Sequence, residues 1–231
     1  MATHRKMLAL LALLSVARDG GITREKLAAL LWPESDEERA RGALKQICYA
    51  LRQAVGADVL ASGPGELRLN PPAIASDVAE FEQALAGGDP ARAVSLYAGP
   101  FLDGFYLKGA AEFEGWVEAQ RTRLASAACR ALGDLARAAA DRRDLAAVVE
   151  WRSRLASLDP LDSRAALALM QALAAAGDRG AALRHAQVHE SLLRQELDAP
   201  PDPDVLALVR ELRVPAPAAE SAPEPAPEPA P

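Results

Sequence analysis

The chain has 231 residues, half of them apolar and only 4% aromatic, with a formal charge of −6. That length can bury one large core or two small ones, and two domains is the expected organisation. Alanine and leucine dominate, which favours helices over sheets because these side chains lose little freedom in a helix; nothing approaches the roughly 20 apolar residues of a membrane span.

Cys48 and Cys129 each lie in a helical pattern, without CxxC or Cys/His ligand spacing, and read as small buried hydrophobes rather than a disulfide or a metal site. Charge is unevenly distributed. Residues 1–56 carry nine Lys/Arg against six Asp/Glu, or +3, whereas residues 57–231 carry 17 against 26, or −9. Only the first segment suits a phosphate-bearing partner, and its charge is too modest to argue for one alone.

MATHRK followed by MLALLALLSVA, with Ser15-Val16-Ala17 as a small-x-small triplet, imitates a signal peptide. Against export, Ala9, Ala12 and Ser15 recur at helical spacing, and Arg18-Asp19-Gly20-Gly21 reads as a turn leading into another amphipathic helix. A cytoplasmic protein is expected. The first helix spans about residues 5–17 and stops at Gly20-Gly21. Thr23 then caps a short helix, REKLAALLW, that ends before Pro33. Ser35 followed three residues later by Glu38 has the form of a capping box for a third helix.

That third helix contains RARGALKQICYALRQAVG, residues 39–56. On a 3.6-residue repeat Ala40, Leu44, Ile47, Leu51 and Val55 share one side, and Arg41, Lys45, Tyr49 and Arg52 another, roughly 120° away. Gly56 ends it. DVLASGPGELRLNP follows, with short runs at Val59 to Ala61 and Glu66 to Leu69 around Ser62-Gly63-Pro64-Gly65, a β-hairpin pattern. Three helices and a hairpin are the plan of a winged helix, whose third helix enters a major groove while the wing lies beside it. A small helical domain with a hairpin appended is the plainer alternative.

From about Ser76 the pattern is helical with an internal period of 34 that pairs Asp144 with Asp178, Ala147 with Ala181, Leu158 with Leu192 and Leu135 with Leu169. GGDPARAVSLY, residues 87–97, carries the same turn-and-helix phrase. A 34-residue period is that of tetratricopeptide repeats, which stack to bury faces that no single unit could bury alone. Asp159-Pro160 reads as the break between units. The stretch from Val214 onward, VPAPAAESAPEPAPEPAP, is expected to be an extended linker or tail.

GITREKLAALLWPESDEERARGALKQICYALRQAVG, ADVLASGPGELRLNPPAIASDVAEFEQAL, SLYAGPFLDGFYLKGAAEFEGWVEAQRTRL and LASLDPLDSRAALALMQALAAAGDRGAALRHAQVHESLLRQEL together resemble bacterial transcriptional activator domain regulators. These are related to antibiotic-pathway activators and pair a response-regulator-type winged helix with a tetratricopeptide-like domain. The resemblance runs from about Arg5 to Leu212. Its most specific pieces are Leu31-Trp32-Pro33, the segment from Tyr97 to Phe105, and Leu158-Asp159-Pro160-Leu161-Asp162.

The expected fold is therefore mainly α: a winged helix-turn-helix of three helices plus a hairpin wing over residues 1–72, a tetratricopeptide-like repeat domain over 73–213, and a linker or tail over 214–231. The resemblance implies DNA binding through the third helix, and dimerisation or RNA polymerase contact through the repeats. Two departures from the family pattern stand out. The usual small sheet ahead of the first helix has no counterpart, and Gly42 and Ala43 occupy positions where the family commonly has hydrogen-bonding side chains, which base-edge readout requires. An interaction module with a degenerate winged helix that does not bind DNA is the alternative.

Lys45, Gln46 and Tyr49 are the candidates for base edges, combining exposure with reach. Thr23, Arg24, Arg41, Arg52 and Arg68 are candidates for phosphates, which position a helix without specifying sequence. The competing reading of the basic stripe is a solvated face, with Arg41 paired to Glu37 or Glu38 one turn earlier. His185 and His189 lie four apart, but HAQVHE lacks the glutamate position of a zinc hydrolase and no third ligand is evident. Both are assigned to packing, and Trp32, Trp116 and Trp151 to core anchoring. No nucleophile elbow or phosphate-cradling loop is present, so neither an enzyme nor a cofactor is expected.

Overall fold

The computed structural model describes residues 2–17, 20–63 and 65–214. The expected turn residues Arg18, Asp19 and Pro64, and the proline-rich stretch after Val214, lie outside the described residues. The element order is α1 (Ala2–Ala17), β1 (Ile22–Thr23), α2 (Arg24–Leu31), α3 (Glu37–Val55), β2 (Leu60–Ser62), β3 (Glu66–Leu69), α4 (Asp77–Ala86), α5 (Pro90–Leu96), α6 (Ala111–Asp141), α7 (Leu145–Leu158), α8 (Ser163–Ala175), α9 (Arg179–Leu197) and α10 (Pro203–Arg213). The protein is mainly helical, a winged helix followed by helical repeats. The chain forms two compact units, Met1–Ala138 and Ala139–Pro231.

In the first unit, Leu10, Leu13 and Leu14 of α1 meet Leu27 and Leu31 of α2, Leu44, Ile47 and Leu51 of α3, and Leu67 of β3 in one core. Each such side chain, removed from water, contributes about 1.5–3 kcal/mol before the entropy of ordering it is counted. Leu107, Ala110, Phe113 and Val117 close the same core. Phe113 has its ring centroid 6.2 Å from that of Phe105 and 5.7 Å from that of Trp116.

The hairpin forms, antiparallel, with Leu60 opposite Leu69 and Ala61 opposite Arg68. It has a third member that the sequence reading missed. β1 pairs antiparallel with β3, Ile22 opposite Leu67 and Thr23 opposite Glu66, giving the order β1-β3-β2. Two residues are too short to show alternation, so nothing in the local pattern marks them as a strand. Gly21 makes the approach workable: its φ is 60° and a Cβ there would lie 2.9 Å from the Leu67 carbonyl oxygen.

Two expectations about α3 need correction. Its N-cap is Asp36, whose Oδ1 accepts from the Arg39 amide at 2.9 Å; Ser35 instead donates its backbone N–H to the Trp32 carbonyl at 3.1 Å. The capping box is absent because, with the helix beginning at Glu37, the residue three after the cap is Arg39 rather than a glutamate. Val55 is 48% exposed rather than core-facing, while Cys48 takes a buried place in the row.

The repeat phrase is legible as one turn used three times. Asp89, Asp144 and Asp178 each cap a helix, accepting from the amides of Arg92, Ala147 and Ala181 at 2.9, 3.1 and 2.8 Å. Before each cap stands one residue of positive φ, Gly88 at 74°, Arg143 at 57° and Gly177 at 85°. The capping aspartate's amide then donates back to Ala84, Ala139 and Leu173 respectively, the closing bond of a helix C-terminus in the left-handed conformation. In the second unit α8 packs on both α7 and α9, and α10 on α8 and α9. The break between α7 and α8 falls after Asp159, as the Asp-Pro pair predicts. Cys48 is buried and Cys129 half-buried, and the two are not joined in a disulfide.

Candidate nucleic-acid interface

The amphipathic pattern of α3 dictates which of its side chains point outward. With Ala40, Leu44, Ile47, Cys48 and Leu51 buried, Arg41, Gly42, Lys45 and Arg52 face an open groove of about 1300 Å³, lined by α2, α3 and β3. Arg24, Arg41, Lys45 and Arg52 line that groove, together with Gly42 and the carboxylates of Glu25, Asp36, Glu37 and Glu38. The fold thus gathers four of the five basic residues named from the sequence around α2 and α3. Arg68 is on the wing strand, opposite Ala61.

The members differ in how committed they are. Arg41 pairs with Glu37 one turn earlier at 2.6 Å and reaches Glu25 of α2 at 3.6 Å. Both partners are well exposed, so the pairs stabilise little but do hold the guanidinium among carboxylates. Lys45 is exposed. Gln46 and Tyr49 are exposed on the adjoining face of α3, Tyr49 at 66%. Thr23 caps α2, its Oγ1 accepting from the Lys26 amide at 3.3 Å, and the Arg24 amide donates to the Gly65 carbonyl at 3.1 Å. That bond ties the start of α2 to the wing, so the two ends of the groove move as one body.

Electrostatics inside the groove register on Cys48. Burial pushes its thiol up, while the nearby Arg52 and Arg24 charges pull it down more weakly. Arg24, Arg52 and Cys48 all line the same groove. Gly42 adds no donor or acceptor, and no heavy atom lies within 4 Å of where its Cβ would be. A larger side chain would project there freely. Sequence reasoning missed the cross-helix partner Glu25; an i, i+4 rule finds Glu37 but carries no information about a neighbouring helix.

The other residues singled out from the sequence have ordinary surroundings. His189 is 1% exposed. Its Nδ1 lies 3.0 Å from the Pro160 carbonyl and its Nε2 3.1 Å from the Ser163 hydroxyl. A carbonyl only accepts, so Nδ1 carries the proton and Nε2 accepts from the hydroxyl. The ring pins α9 to the loop between α7 and α8. Trp116 packs edge-on against Phe101, Lys6 lies 4.6 Å from the Trp32 ring centroid, and Arg154 lies 5.6 Å from that of Trp151. All three tryptophans are half-buried rather than central. No group of three or more His, Cys, Asp or Glu suited to a metal occurs among the described residues, and no described helix is long and apolar enough to cross a membrane.

The family model described as the bacterial transcriptional activator domain matches residues 74–213. A protein described as an uncharacterized 47.3 kDa protein in the thcA 5′ region of Rhodococcus erythropolis is 34% identical over 143 residues, covering 61% of this chain and 30% of that protein. Among solved structures, Mycobacterium tuberculosis EmbR in complex with a low affinity phosphopeptide is similar with a TM-score of 0.56 and 23% identity, over 90% of this chain and 59% of that one. The chain thus spans less than two thirds of the length of either protein.

Proposed function

We propose that this chain, which belongs to the bacterial transcriptional activator domain family, is a cytoplasmic DNA-binding transcriptional regulator that acts by binding and carries out no catalytic step. Residues 1–72 dock duplex DNA, residues 73–213 contact a protein partner, either RNA polymerase or a second copy in a homodimer, and residues 214–231 serve as a linker or tail. One observation carries the reading: Arg24, Lys45 and Arg52 converge on a single open groove formed by the third helix and the wing strand. In this reading Thr23, Arg24, Arg41, Arg52 and Arg68 hold phosphates, and Lys45, Gln46 and Tyr49 reach base edges.

The groove favours grip over choice. Gly42 offers no base contact and Arg41 is held by two carboxylates, so backbone contacts outnumber base contacts and specificity is low. The same features favour the second reading, a repeat-type interaction module whose winged helix does not bind DNA.

One titration separates the two. Random-sequence duplex DNA, followed by fluorescence anisotropy over a salt series, is expected to bind with a log-log slope of about −0.9 per phosphate contacted. Lys45→Ala and Arg52→Ala each weaken binding, and Arg52→Ala reduces the slope by about 1. Absence of binding at low salt, or binding indifferent to both substitutions, establishes the second reading.

A further inference from the structure

We propose that a pocket on the first unit, remote from the basic groove, is a binding site for a small amphipathic amine, a cationic nitrogen joined to an apolar body. The pocket holds about 600 Å³ and is bounded by α1, the segment after β3, the start of α4 and the loop 97–105. That volume lies within the range of small-molecule sites, and such sites combine an apolar lining with a few polar groups that fix orientation. Leu11, Val78, Phe81 and Phe101 supply apolar lining.

The wall opposite α1 is built to keep its shape. The loop 97–105 contains Leu102 at a φ of 51°, a left-handed conformation unusual for leucine. Arg121 holds it there, its Nε donating to the Phe101 carbonyl at 2.8 Å and its Nη2 to the Leu102 carbonyl at 2.7 Å. A half-buried guanidinium fork bonded to two consecutive carbonyls holds the loop away from the space beside it. The pocket is therefore preformed.

Charge decides the ligand class. Asp77 and Asp103 both line the pocket, and among the described residues no lysine, arginine or histidine does. Neither carboxylate has an ion-pair partner among the described residues. Tyr97 stands with them; burial, with the Cys129 thiol contributing less, pushes its phenol up, so it stays a neutral oxygen able to accept from an ammonium. Its ring, 5.9 Å from that of Phe81, adds an aromatic surface attractive to cations. Both carboxylates are exposed at the rim and stay hydrated, so an anion entering here meets two like charges while a neutral body gains nothing from them. A cation with an apolar tail satisfies both halves of the lining.

The test compares 4-phenylbutylamine with 4-phenylbutyrate, alike in body and opposite in charge, by amide chemical-shift titration of the full chain at neutral pH. The amine is expected to give saturable shifts confined to the start of α4 and residues 97–105, and to bind about threefold tighter than the carboxylate, the size expected of exposed charge pairs. Asp77→Asn with Asp103→Asn brings the two ligands to parity. Ala75→Trp places bulk on an exposed, non-helical wall residue; with an otherwise unchanged spectrum it abolishes the shifts. Shifts that do not saturate, that fall on α2 and α3, that are equal for the carboxylate in the unaltered protein, or that survive Ala75→Trp overturn the proposal. The test does not depend on whether the chain binds DNA.

Discussion

The two units solve the same packing problem with different materials. The first interlocks large side chains: eleven leucines, Ile47, Val59 and Val117, with Phe113, Cys48 and two alanines, form its main buried cluster, beside a three-stranded sheet. The second is built close. Ala156, Ala165, Ala166, Ala172, Ala182 and Ala186 are buried where helices meet, and its most buried large groups are Met170 and the polar ring of His189. Small residues let helix axes approach, but they remove little apolar area from water, so each unit's stability rests on a different kind of contact. Bulk organises the first unit, and repetition with a hydrogen-bonded pin organises the second.

Phe113→Ala is the largest expected effect. It empties a fully buried aromatic site and is expected to cost about 4 kcal/mol, read by hydrogen exchange as lost protection in α1 to α3 with α8 and α9 unchanged. Equal loss in both units would break the comparison. His189→Ala should cost about 3 kcal/mol in the opposite place, because it leaves a cavity and strips the Pro160 carbonyl and Ser163 hydroxyl of their partner. Protection should fall in α8 and α9 and persist in α1 to α3.

Acid should separate the units as well. Burial, and more weakly the neighbouring His189, hold His185 below its ordinary value of 6.5. The unfolded chain then takes up this proton more readily than the folded one, so the contribution to stability is fully present above pH 6.5 and is lost as pH falls toward the folded value. The second unit is expected to lose protection first as the pH drops, and His185→Gln to flatten that response. The smallest effect is expected from Arg143→Gly, which matches the glycines at the two equivalent turns and relieves a left-handed arginine, raising the second unit's stability by about 0.5–1 kcal/mol. A denaturation midpoint that falls instead would show that the arginine side chain makes a contact worth more than its strain.

Much of the fold was legible because its signals are short-range. Thr23 announces its cap, Asp159-Pro160 its break, and the short runs around Gly63 their hairpin; each depends on neighbours within a turn or two. The family expectation was borne out over residues 74–213, and the mainly helical class over the described residues. The choice between Ser35 and Asp36 as cap was not legible, since either residue suits the position and the start of α3 is set by how it enters the core. The candidate interface divides likewise. The basic stripe of α3 follows from periodicity, whereas the commitment of Arg41 to Glu25 needs the position of α2.

By itself, the sequence determined the order of helices, the outward face of α3, the repeated helix-turn phrase and the uneven charge, all consequences of backbone propensity and helical spacing. Only the tertiary structure decided that Ile22-Thr23 would become a strand against β3, that His189 would find Pro160 and Ser163, and that the clamp of Arg121 on the loop 97–105 would leave a pocket beside two carboxylates. These contacts join residues distant in the chain, and their energies exist only once the core has brought the partners together.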